Sequence, residues 1–502
     1  MPSDTSAAKA DLNARLDQMQ FRADPLADAT IAAILGPWGQ PTATATPKLT
    51  DAGDRTTYLA AWQPQWEKLA AVSKTFAQWT DNAAIKDWQA TAELPPEISG
   101  ALTGYLQAGS VLPTWADHGK LERAEALFME YGALSVTMLF CSSLPECYVI
   151  PDLAAVLHAT AQLETHTDYR IRATGAMIFP VMMAGGLTAP DGGGVAQILK
   201  VRLIHATVRN LVLRGTPESA LAAVPPGERG RAESAKCTAG VVPPVPGAAA
   251  TGNMHQTLFA HGWKTGAEGL PCNQEELAYT LLTFSYVFLR SMRKLGLPLT
   301  RADEEAYLHS WNVAGHVLGI ERELMADTMD AAETMFDRMQ ARGRTDWRER
   351  PAATDPRPSL GGALMQSMQA AIPLPVAKPF PVLLTRYLCG HASSRDLSLV
   401  GPQPWLSRLL FMSLLLGART FDTVLRLVFP DFSIARFLTR VLGYHLICKL
   451  LMDQTRPLKL PEHVRDQVSA IVGHWSADAK APGWMNSLED SLTTEGSWNA
   501  MR

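Results

Sequence analysis

Apolar residues recur at spacings of three and four along most of this chain, and strand-like alternation is scarce. The period predicts helices near 4–35, 52–90, 118–141, 151–163, 168–183, 194–214, 273–295, 301–342, 358–371, 404–428, 432–453 and 461–475, with Pro or Gly between most of them. The expected fold class is all-α. Three stretches break the pattern: 42–53, 344–360, and a long Pro/Gly/Ala-rich segment at 215–252 that carries Pro225-Pro226 and Pro243-Pro244. They suggest an N-terminal helical extension (1–99), a core (100–345) with an inserted surface loop at 215–252, and a C-terminal helical extension (346–502).

Within 194–214, Ile198, Val201, His205, Val208 and Val212 fall on one helical stripe, which turns an imidazole toward the interior. Arg202 lies three residues before His205 and Arg209 four after it, with Lys200 nearby. A haem would use these side chains well, the imidazole as axial ligand and the guanidinium groups as partners of the propionates. A hydrogen-bonded core histidine produces the same spacing, and the spacing alone does not separate the two.

Composition narrows the field. A net charge of −4 lacks the basic surplus of a nucleic-acid binder, and 47% apolar with 19% charged residues over 502 positions fits a large packed core. The six cysteines form no Cys-x-x-Cys pair, so they suggest no zinc site, iron–sulfur cluster or covalent haem attachment. With no basic, apolar leader at the N-terminus, the expectation is a reduced, cytoplasmic setting. No run reaches the length of a spanning helix. The apolar run Leu409–Ala418 reads first as a buried core helix. Its apolar, arginine-dotted neighbours Phe421–Phe429 and Phe437–Leu451 make peripheral membrane attachment the alternative.

Other motifs fall away on inspection. Gly192-Gly193-Gly194 lacks the third glycine of a dinucleotide loop, has no strand before it, and is better taken as the start of a helix. No Glu-x-x-His pair supports a di-iron bundle, and neither a Gly-x-Ser-x-Gly elbow nor a Walker loop is present. His309, His316, His158 and His166 read as packing or hydrogen-bonding residues. Asn273 and Gln274 read as helix caps.

Several ordered motifs resemble the latex clearing protein (rubber oxygenase) family: Leu112-Pro-Thr-Trp-Ala-Asp117, Ser143-Leu-Pro-Glu-Cys-Tyr148, Arg170-Ile-Arg-Ala-Thr-Gly175, Lys200-Val-Arg-Leu-Ile-His205, Gly269-Leu-Pro-Cys-Asn-Gln274 and Glu305-Ala-Tyr-Leu-His309-Ser-Trp311. The wider group includes the fungal oxygenase of mycophenolic acid biosynthesis. The resemblance covers about residues 100–345 and weakens toward 450.

It implies a globin-like core around one haem b, with His205 as proximal iron ligand and with O2 and a hydrophobic alkene as substrates. In latex clearing proteins the carbon–carbon double bond is cleaved to a ketone and an aldehyde. Arg170 and Thr174 take the family's distal arginine and threonine places, whereas the distal lysine place falls on Ala173, which offers no donor. That departure keeps open a haem-binding sensor or degenerate member without turnover. The family's distal glutamate has two candidates at unmatched spacing, Glu164, ranked first, and Glu146. Met177–Met183 and Met325–Met339 supply flexible apolar walls of the kind an isoprenoid or lipid-like substrate needs.

Overall fold

The computed structural model describes residues 3–36, 64–65, 67–150, 167–214, 269–297, 299–348, 355–370, 372 and 374–426. Among them every regular element is helical. The first group comprises α1 (Ser3–Met19), α2 (Pro25–Leu35), α3 (Asn82–Lys86), α4 (Pro96–Gly109), α5 (His118–Glu130) and α6 (Gly132–Met138). A single wide turn, Leu139–Ser143, runs on into α7 (Leu144–Tyr148). Two helices, α8 (Thr167–Met182) and α9 (Gly194–Arg214), pack against each other at the centre. The chain continues through α10 (Gln274–Phe284), α11 (Tyr286–Leu295), α12 (Arg301–Leu318), α13 (Met329–Arg348), α14 (Arg357–Ala370), α15 (Phe380–Asp396) and α16 (Trp405–Arg426).

Local chemistry sets these boundaries. Asp24 caps α2, its carboxylate accepting from the amides of Leu26 and Ala27, and Pro25 occupies the first turn. Thr300 and Asp303 form a reciprocal capping box on α12, which stops at Gly319 in the left-handed region (φ 90°). That stop divides the expected 301–342 helix into α12 and α13. Helices α4 and α15 were not expected from the pattern. Gly100 and Gly104 dilute the first, while Pro381 at the start and a kink at Gly390 (φ 86°) interrupt the second.

Among the described residues one hydrophobic core takes in side chains from Leu16 to Leu399. The boundaries expected at 99 and 345 therefore cut through one core, and the N-terminal helices form part of it. The 215–252 loop and the helices expected at 151–163, 432–453 and 461–475 lie outside the described residues. Stacked aromatic pairs fill the middle: Phe284 on Trp311 at 5.6 Å, Phe288 on Tyr307 at 4.5 Å and Tyr279 on Phe336 at 5.1 Å. The methionines Met182, Met183, Met329 and Met339 are buried in the same core. Helix α9 is enclosed by α2, α8 and α12, and from α4 the Tyr105 hydroxyl donates to the Leu199 carbonyl at 2.7 Å.

Candidate functional site at the α8–α9 junction

Helix α9 is held first at its N-terminus. From α3, the Asn82 side chain donates to the carbonyls of Gly186 and Ala189 (3.0 and 2.9 Å) and accepts from the amides of Val195 and Ala196 (3.1 and 3.4 Å). It thus caps α9 from more than a hundred residues away. The turn it grips is closely packed. A Cβ on Gly186 would sit 2.1 Å from the Pro180 carbonyl oxygen, and one on Gly192 would sit 2.2 Å from that of Gly185. The glycine triplet is therefore a compact helix start, and its backbone is committed within the protein.

Glu125 grips the same turn from below. Its buried carboxylate accepts from the Gly185 amide at 2.9 Å, and among the described residues the other oxygen has no partner. Burial pushes its pKa up to about 7, only partly opposed by the Gly185 amide, and nearby Glu122 pushes the same way. A folded-state pKa above the ordinary carboxylate value means stability that is complete at pH 4 and is lost as the pH rises through 7. Glu125→Gln should therefore flatten the fall in melting temperature between pH 5 and pH 8 and raise it by a few degrees at pH 8. An unchanged pH slope in the variant would show that this carboxyl is not the titrating group.

The expected His205 stripe is buried at both ends and opens in the middle. Ile198, Val208 and Val212 are buried, Val201 and His205 are half-buried, and the adjacent Ile204 is 37% exposed. An imidazole and two aliphatic side chains thus share the partly open side of the helix, next to half-buried Gln197 and Lys200. Among the described residues no three His, Cys, Asp or Glu side chains meet as a metal-ligand set. A single imidazole beside apolar surface is what this part of the chain offers. That donor set fits a haem, which brings its own four equatorial ligands and needs apolar walls.

The flanking arginines do not serve as expected. Arg202 clasps Asp24 through Nε and Nη2 (2.5 and 2.7 Å) and donates from Nη1 to the Val317 carbonyl at 2.9 Å. Arg209 clasps Asp28 and donates to the carbonyls of Pro271 and Cys272 at 3.0 and 2.7 Å. Both guanidinium groups are buried and neutralised by acids of α2, so their work is to seat α9 on α2 rather than to meet propionates. Burial also raises the Asp28 pKa, with Arg209 pulling against it.

On the neighbouring helix, Thr174 is half-buried one helix away from His205. Arg170 and Ala173 lie on α8, but their side chains fall outside the described residues, as does the whole of Glu164. Glu146, the other carboxylate considered as a base, is already saturated. It accepts from Arg290 at 2.6 Å, from Gln340 at 2.8 Å and from Ser393 at 2.8 Å. His309 accepts from the Asp117 amide at 2.8 Å, and Trp115 meets both His309 and His316 edge-on. The structural reading of these two histidines fits those contacts. Asn273 caps α10 as expected, accepting from the Glu276 amide, whereas Gln274 spans three segments by bonding Ala23, Gly319 and Glu321.

Asn82 and Glu125 were missed by sequence reasoning. Glu125 had a signal, a carboxylate on the stripe of Leu121, Ala124 and Phe128. Asn82 had none.

Comparison with known proteins gives this geometry a context. Residues 246–445 match a catalytic domain described as ER-bound oxygenase mpaB/B'/Rubber oxygenase. A rubber oxygenase from Streptomyces sp. (strain K30) is 25% identical over 256 residues, 50% of this chain and 51% of its own length. The chain thus spans about half the length of the curated relative it matches. A solved structure of latex clearing protein in the closed state matches with a TM-score of 0.51 at 20% identity, over 88% of this chain and 94% of that one, a likeness of fold. The described residues are all-helical, and residues 246–445 resemble an oxygenase-type catalytic domain. Over residues 246–445 the chain is similar to the latex clearing protein and rubber oxygenase family. The matched domain starts at residue 246, so α8 and α9, with Thr174 and His205, precede it.

Proposed function

We propose that this chain is a haem b-dependent oxygenase that uses O2 to cleave or oxidise a C=C bond in a hydrophobic, isoprenoid or lipid-like substrate. The observation that carries the reading is the opening of the α9 stripe at His205, an imidazole set among aliphatic side chains on a helix packed against α2, α8 and α12. Haem, when bound, supplies the O2 chemistry; the protein supplies the axial ligand, the polarity of the pocket and the route in.

In this reading the His205 imidazole holds the iron. Arg202 and Arg209 keep α9, and with it the imidazole, in register against α2. Arg170 and Thr174, brought alongside by α8, are the polar groups proposed for the distal side. Glu164 is the remaining carboxylate proposed to take a proton from an allylic carbon, since Glu146 is bound up elsewhere. The scattered cysteines suit a reduced, intracellular setting, and the four described ones are buried.

The pyridine haemochrome spectrum of the purified protein tests this directly. One b-type haem per chain is expected, lost or spectrally altered in His205→Ala. Absence of haem from protein made with ample haem would overturn the proposal. Ala173, at the place of the family's distal lysine, favours one second reading, a haem-binding protein without turnover. Sustained O2 uptake with a polyprenyl substrate is expected of the oxygenase and not of that alternative.

A further inference from the structure

Helix α16 contradicts its expectation as a buried core helix. Trp405, Leu409, Met412 and Leu416 form one stripe at spacings of four, three and four, and each is 44–73% exposed. Leu406, Leu410 and Leu414 widen that apolar sector and are also exposed. Only a narrow opposite strip, Ser407, Phe411 and Leu415, faces the protein, with Phe411 edge-on to Phe380 at 5.6 Å. A continuous exposed apolar face of this width marks an interaction site in a folded protein.

Charge identifies what the face meets. Between Asp396 and Asp422 the sequence has no acid, and its only charges are Arg408 and Arg419. Arg408 lies at the border of the apolar sector and close enough to Arg386 to depress the latter's pKa, second to burial. Arg386 in turn donates to the carbonyls of Leu399 and Gly401, which fixes the approach to α16. The surface therefore combines leucines, an exposed terminal tryptophan and paired guanidinium groups. An in-plane helix at an anionic bilayer surface has this composition. Among the described residues no single helix is long and apolar enough to cross a membrane, which fits a helix lying in the interface.

Other occupants fit the charge less well. Residues 427–453 carry Arg436, Arg440 and Lys449 against Asp431 and Asp453, so they would bring further positive charge to a positive rim. A second copy docking on a twofold axis would set the same arginines against each other.

We propose that α16 is a membrane-docking helix that seats the protein on an anionic lipid surface, independently of whether haem is bound. The full chain should co-sediment with phosphatidylcholine vesicles containing phosphatidylglycerol, and about tenfold more weakly with phosphatidylcholine alone. Leu409→Glu should abolish binding at an unchanged melting temperature, and Arg408→Glu should remove the preference for anionic lipid. Brominated acyl chains should quench a fraction of the tryptophan emission that disappears in Trp405→Phe. The proposal would be overturned by full-length folded protein that ignores anionic vesicles, by binding that survives Leu409→Glu, or by a dimer in solution that Leu409→Glu dissolves.

Discussion

Arg202→Met is expected to lower the free energy of unfolding by about 3–5 kcal/mol, the scale of breaking a buried ion pair from one side. The substitution removes three interactions at once. Asp24 is left with an uncompensated carboxylate at a buried site, and the Val317 carbonyl loses its donor from Nη1. The same Asp24 caps α2, so the unpaired charge sits where that helix begins. Met is close in length to the Arg stem, so the loss reflects charge and hydrogen bonding more than volume. Adding Asp24→Leu should restore part of the stability by removing the stranded charge, less about 1 kcal/mol for the lost cap. Denaturant titration of the two single variants and the double variant measures the coupling. If Arg202 instead bound a propionate, Arg202→Met would leave apo-protein stability nearly unchanged and weaken only haem retention.

Helix α9 shows how far the sequence was legible. The expected start at 194 coincides with the observed one and the helix runs to Arg214, the last described residue there, because an unbroken period after a glycine triplet leaves little latitude. The stripe through His205 was also legible. The destination of the arginines was not. Their partners lie 178 and 181 residues earlier, at Asp24 and Asp28, and spacing along one helix carries no information about a carboxylate on another. Only the general rule that buried guanidinium groups must be neutralised was available.

Helix α16 shows a different limit. Its existence and its start were legible to within a residue, but its environment was not. An apolar run records an aversion to water and does not distinguish a protein core from a lipid surface. Three-dimensional burial is what separates them, and here it leaves the leucines outside.

Glu146 is the strongest case of a residue whose sequence context and structural role diverge. By resemblance it was a candidate for the distal carboxylate; in the structure it joins four helices. Its carboxylate, 1% exposed, receives Arg290 from α11, Gln340 from α13 and Ser393 from α15, while its backbone carbonyl receives the Tyr279 hydroxyl from α10 at 2.9 Å. Arg344 extends the network, bonding Gln340, Ser393 and Asp396. Glu146→Ala should therefore cost about 3–5 kcal/mol, because it strands the Arg290 guanidinium and two neutral donors at a buried site. Glu146→Gln should recover part of that loss, since the amide oxygen still accepts but the charge facing Arg290 is gone. Haem content per folded chain should stay at the wild-type level in both variants. A catalytic base would give the opposite pattern, in which Glu146→Gln folds with full stability and loses turnover. Thermal denaturation and O2 uptake on the same preparations decide between the two roles.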